Sequence, residues 1–69
     1  MTQCERIIEH LKKNGSISSA EAMNEYGIFR LASRITELKK EHLIETKVEH
    51  GKNRFGEPIH YARYFLKDE

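Results

Sequence analysis

The residues in this sequence best suited to do chemistry are two clusters of long basic side chains, and the chemistry they suit is recognition. The first cluster lies in the segment 28–40, where Arg30, Arg34, Lys39 and Lys40 stand against a single acid, Glu37. Residues 1–27 hold Arg6, Lys12 and Lys13 against Glu5, Glu9, Glu21 and Glu25. Positive charge is therefore concentrated locally although the net charge is only +1. An arginine offers a planar fork that gives two hydrogen bonds to guanine O6 and N7, and a serine can meet a phosphate or a base edge. The second cluster is Lys52, Asn53 and Arg54 between Gly51 and Gly56. Long basic side chains on a glycine-hinged loop suit a phosphate backbone or a minor groove.

Other chemistries lack their residues. His10, His42, His50, His60 and Cys4 have no HxxxH, HExxH or CxxC spacing, so no metal site is expected. His50 and His60 are placed to face each other across a hairpin, but two ligands make a poor site. No Ser/His/Asp order, glycine-rich phosphate loop or carboxylate pair stands out. An enzyme is not expected, nor a cofactor. At 69 residues the chain is expected to form one domain, residues 1–69, too short to enclose a deep substrate pocket beside its core. One cysteine fits a reducing, cytoplasmic setting. No apolar run approaches a signal-peptide core or a membrane span.

The elements that must position these residues follow from periodicity and capping. Thr2-Gln3-Cys4-Glu5 and Ser18-Ser19-Ala20-Glu21 both have capping-box spacing. After the first, Cys4, Ile7, Ile8 and Leu11 form an apolar stripe that Asn14-Gly15 ends, giving helix 1 over residues 3–13. Ser16-Ile17-Ser18 reads as a short edge strand with Ile17 inward. After the second box, Ala22, Met23 and Tyr26 share a face and Gly27 closes helix 2, residues 19–26. Ile28, Leu31, Ala32, Ile35 and Leu38 then repeat at helical spacing, so helix 3 is expected over 29–41. Phe29 at its expected cap offers no side-chain acceptor. On this helix Arg30, Ser33, Glu37 and Lys40 fall opposite the apolar stripe, with Arg34 flanking them. Arg30 has an alternative use, pairing with Glu37 or Glu41 on a solvated face.

Past His42-Leu43 the period becomes two. Ile44, Thr46 and Val48 alternate with Glu45, Lys47 and Glu49, which reads as a strand. Residues 51–58 are rich in turn formers, and residues 59–66 form the return strand. In that strand Ile59, Tyr61 and Phe65 alternate with Ala62, Tyr64 and Leu66. Both sets are apolar, so the inward face stays open; a bulge is one way to resolve it. Phe55 is expected to pack back on the hairpin. Lys67-Asp68-Glu69 reads as a solvated tail. The core is expected to centre on Ile7, Leu11, Leu31, Ile35 and Leu38.

Two short helices joined by a glycine-containing turn form the unit that places its second helix in the DNA major groove. The segments ERIIEHLKKNGSISSAEAMNEYGI, RLASRITELKKE, GKNRFGE and YARYFL cover nearly the whole chain. The most specific are the run from Arg30 to Lys40 and the turn from Gly51 to Glu57. On these the chain resembles a family of small winged helix-turn-helix domains of bacterial phages and prophages. Phe29 stands where that family has Thr. The resemblance implies an α+β fold, a three-helix core with a C-terminal β-hairpin wing, and double-stranded DNA as partner. The expected role is a phage or mobile-element transcriptional regulator or accessory factor. The alternative is a protein-interaction module that docks the same fold on a host or phage protein. The acids Glu45, Glu49 and Glu57 around the hairpin favour that alternative.

Overall fold

The computed structural model describes residues 1–67; Asp68 and Glu69 of the expected tail lie outside the described residues. Both capping boxes form. Thr2 accepts from the Glu5 N–H at 3.2 Å and the Glu5 carboxylate accepts from the Thr2 N–H at 2.7 Å, which starts α1 (Gln3–Asn14). Ser18 and Glu21 repeat the exchange at 3.3 and 3.0 Å at the start of α2 (Ser19–Tyr26). Each exchange satisfies backbone N–H groups that the helix itself leaves open. Gly15 (φ 88°) and Gly27 (φ 67°) end these helices in the left-handed conformation that a side chain resists.

The third helix, α3 (Leu31–Leu38), is shorter than the expected 29–41. Arg30 is its N-cap and makes no side-chain cap bond, and Phe29 lies in the preceding turn. With neither residue able to accept from the first-turn N–H groups, nothing holds two further residues in the helix. At the other end the Glu41 N–H bonds to the Leu38 carbonyl at 3.0 Å, an i→i+3 bond that winds residues 39–41 into a tighter turn.

The strands β1 (Ser16–Ser18), β2 (Ile44–Lys52) and β3 (Pro58–Leu66) form one antiparallel sheet in the order β1-β3-β2. The β2–β3 register runs unbroken from Ile44 opposite Leu66 to Lys52 opposite Pro58. No bulge is needed to choose the inward face. Ile17 of β1 pairs with Tyr64 of β3. Ile17 is fully buried and Tyr64 buried, with Ala62 and Leu66 packed beside them. The even-numbered set of β3 therefore faces the helices. Period-two alternation then assigns Ile59, Tyr61, Arg63 and Phe65 to the other face.

The core contains all five expected residues, Ile7, Leu11, Leu31, Ile35 and Leu38, together with Ile17, Ala22, Ile28 and Tyr64. Met23, expected on the apolar face of helix 2, is instead about half exposed. The buried His10 is satisfied by Tyr26, whose hydroxyl lies 2.8 Å from Nδ1 with the rings edge to face. No helix among the described residues is long and apolar enough to cross a membrane.

Candidate nucleic-acid interface

With Leu31, Ile35 and Leu38 buried, a rotation of about 100° per residue puts Ser33 and Thr36 opposite the core. Ala32 and Glu37 stand on the flanks of that surface, and all four are exposed. The Thr36 hydroxyl donates to the Ala32 carbonyl at 3.0 Å, which leaves its methyl outward. Ala32, Ser33 and Thr36 are small, so the helix backbone can approach a second surface closely there. Arg30 lies just before the first turn, exposed and without an acidic partner among the described residues. The first backbone bond of α3 runs from the Arg34 N–H to the Arg30 carbonyl at 3.2 Å. The N–H groups of Leu31, Ala32 and Ser33 thus point forward beside Arg30. Lys40, with Lys39, is exposed in the turn after α3.

Arg34 and Glu37 have a different setting. Arg34 Nη1 donates to both Glu37 carboxylate oxygens at 3.1 Å. The Cys4 thiol of α1 donates to the same carboxylate at 3.6 Å. Burial, and then the Glu37 carboxylate, push the Cys4 thiol above its ordinary pKa. The pair is therefore turned toward α1, and Glu37 takes Arg34 where pairing with Arg30 was one expectation.

At the hairpin tip the roles also divide. Asn53 is half-buried and organises the turn: its Oδ1 accepts from the N–H groups of Phe55 and Glu57 at 2.9 and 3.0 Å, and its Nδ2 donates to Glu57 at 2.8 Å. Lys52 and Arg54 are exposed. Phe55 does not pack back on the hairpin. It is 75% exposed with the Arg54 guanidinium 5.2 Å from its ring centre.

A family model described as a winged helix-turn-helix domain matches residues 2–69. The chain belongs to the winged helix-turn-helix family. No match is found among curated proteins. In a winged helix-turn-helix, α2 and α3 form the helix-turn-helix pair and β2 and β3 the wing, and the family points to DNA as the partner class. Of the expected contact residues, Arg30, Ser33, Lys40 and Lys52 are exposed without a side-chain partner among the described residues, and Arg54 is exposed with only the Phe55 ring beside it. Arg34, Glu37 and Asn53 are engaged within the fold. Sequence reasoning put Ala32 on the apolar stripe, where the structure instead exposes it, and did not name Thr36 or Phe29 as contacts. A helical wheel with Leu31, Ile35 and Leu38 at its centre carries the signal for Thr36. Nothing in the sequence marks Phe29 as 80% exposed.

His50 and His60 do face each other across the wing, with ring centres 6.3 Å apart. Among the described residues, no three His, Cys, Asp or Glu side chains gather into a group able to hold a metal ion.

A charge network ties the wing to the helix-turn-helix. Arg63 of β3 donates from Nε to Glu49 of β2 at 2.8 Å, and from Nη1 to Glu21 of α2 at 3.0 Å and Ser16 of β1 at 3.2 Å. Glu21 is also the capping-box residue of α2. The Arg63 hydrogen bond, then its charge and the Tyr61 hydroxyl, hold the Glu49 carboxyl below the ordinary glutamate pKa. A depressed folded-state pKa stabilises the fold above the unfolded value, about 4.3, and that stabilisation is lost as pH falls through the folded value. Glu49→Gln should therefore melt below the parent protein at neutral pH. The gap should close as pH falls below the unfolded value, about 4.3, and through the lower folded value. Melting curves across this range check the sign; a gap that widens in acid would contradict it.

Proposed function

We propose that this chain binds double-stranded DNA, with the outward surface of α3 in the major groove and the wing along the backbone or in the minor groove. The observation that carries the reading is that α3 turns Ala32, Ser33 and Thr36 outward behind a free Arg30. Small side chains let the helix sit close to base edges, and Arg30 supplies the bidentate fork. Lys52 and Arg54 are placed to hold phosphates, and Lys40 joins them from the end of α3. Residues 1–69 act as one such domain. The role we propose is transcriptional regulation, or an accessory function, for a phage, prophage or other mobile element in the cytoplasm. The resemblance of the Arg30–Lys40 run and the Gly51–Glu57 wing to phage domains supports that setting.

The test begins with selection of a preferred duplex from a random library. Each variant is then measured on that site and on unrelated DNA. Arg30→Ala should weaken the selected site roughly 5- to 150-fold more than random duplex, the equivalent of about 1–3 kcal/mol for one bidentate base contact. Arg54→Ala should weaken both targets about equally and lower the salt slope by about one unit. Arg34→Ala should act more on stability than on discrimination, because Arg34 is held by Glu37. If no site can be selected and no substitution alters DNA affinity while the fold stays intact, the DNA reading fails.

One observation favours the second reading, a winged helix that docks on a host or phage protein. A groove lined mainly by uncharged side chains opens beside β3.

A further inference from the structure

The sheet leaves one piece of strand edge open. β1 covers β3 only opposite Arg63, Tyr64 and Phe65. Toward the wing, the β3 segment 58–62 pairs with β2 on one side and with nothing among the described residues on the other. Where β1 stops, the chain turns into α2, and a groove of about 610 Å³ opens in its place. Ser18, Ala20 and Met23 form one wall, Ile59 and Tyr61 the other, and Phe29 stands at the rim. Met23, Phe29, Ile59 and Tyr61 are 47%, 80%, 40% and 39% exposed, a clustering that a small soluble domain does not need for its own core.

We propose that this groove receives an extended, uncharged polypeptide segment of a protein partner, which adds to the open edge of β3 in line with β1. The inference rests on the protein-docking reading. Two features commit it to this occupant. The row vacated by β1 exposes main-chain donors and acceptors, which a strand satisfies and a compact helix does not. Charge argues the same way, against an anionic occupant. The only charged side chains lining the groove, Glu21 and Arg63, neutralise each other at 3.0 Å, so no free cation waits for a phosphate. The outer edge of β2 makes the contrast. It is longer but carries Glu45, Lys47, Glu49 and Lys52, the charges that discourage strand addition, whereas the open edge past Pro58, residues 59–62, reads Ile-His-Tyr-Ala. An apolar side chain at every second position of the partner would face Ile59 and Tyr61.

The probe is a capped heptapeptide of alternating threonine and valine, titrated into the isotope-labelled protein. Saturable amide shifts should be confined to residues 18–20 and 59–62. The same peptide N-methylated at every residue should lose at least tenfold in affinity, since neither of its edges can then donate to β3. Ala20→Glu should also lose tenfold while melting within a few degrees of the parent. The new side chain fills the groove wall, and an acid is tolerated in the first turn of a helix. Three results would overturn the proposal: no saturable shift at millimolar peptide, equal binding of the methylated peptide, or shifts along the outer edge of β2. A DNA duplex that shifts residues 59–62 directly would assign the groove to nucleic acid and overturn it as well. Loss of DNA binding in Arg30→Ala with peptide shifts intact leaves the two readings separately decided.

Discussion

Replacing Ile35 by alanine should lower the unfolding free energy by about 2–5 kcal/mol. Ile35 is 2% exposed and sits in one cluster with Ile7, Leu11, Leu31 and Leu38. Its truncation removes buried methyl groups and leaves a cavity whose walls belong to different elements. Those walls are held by two capping boxes and by the sheet, so they cannot easily close in. A core in a chain below about 70–80 residues rarely supplies more than about 3–5 kcal/mol in total. The variant should therefore be largely unfolded at 37 °C, and its urea midpoint should fall to a small fraction of the parent value. The outward Thr36→Ala on the same helix should stay within about 0.5 kcal/mol. Equal midpoints for Ile35→Ala and the parent would mean that the buried stripe of α3 has been assigned to the wrong face.

Raising salt from about 50 to about 200 mM should weaken duplex binding by roughly two to three orders of magnitude. Arg30, Lys39, Lys40, Lys52 and Arg54 are exposed and make no ion pair among the described residues, in contrast to Arg34, Lys47, Arg63 and Lys67. Each phosphate neutralised releases condensed counterions and contributes about −0.9 to the slope of log affinity against log salt. Engagement of phosphates by Lys39, Lys40, Lys52 and Arg54, with Arg30 on a base edge, would give a slope near −3.6, and a fourfold rise in salt would then cost roughly 150-fold. Fluorescence anisotropy on a labelled duplex measures the slope directly. A slope near zero would remove the phosphate contacts on which the DNA reading depends.

Much of the architecture was legible because it was local. Thr2/Glu5 and Ser18/Glu21 spell out their helix starts within four residues, and both boxes form. The five core residues named from periodicity are all buried. What escaped was decided by distant neighbours. The inward face of β3 is set by the pairing of Ile17 with Tyr64, far apart in sequence, while both alternating sets are apolar. The start of α3 moved because Phe29 and Arg30 offer no cap, and propensity alone does not locate such an end. Arg34 and Glu37 are easily read as an i,i+3 pair. That the pair would meet Cys4 required the crossing of α1 and α3. The groove beside β3 exists because β1 is only three residues long, a stopping point set by the Ser18 cap.

The wing projects beyond the body of a molecule 38 Å long and 22 by 21 Å across. Past Ala62 it contributes no side chain to the core, and the tip is held by the strand ladder and by Asn53 alone. A segment with so little buried apolar contact opens far more often than the body to which it is attached. Its amides should exchange with solvent through brief local excursions, while those near Tyr64 wait for global unfolding. On the proposed DNA reading, such a tip would act as an antenna, conforming to grooves of different width and releasing them quickly, while the three helices keep their shape.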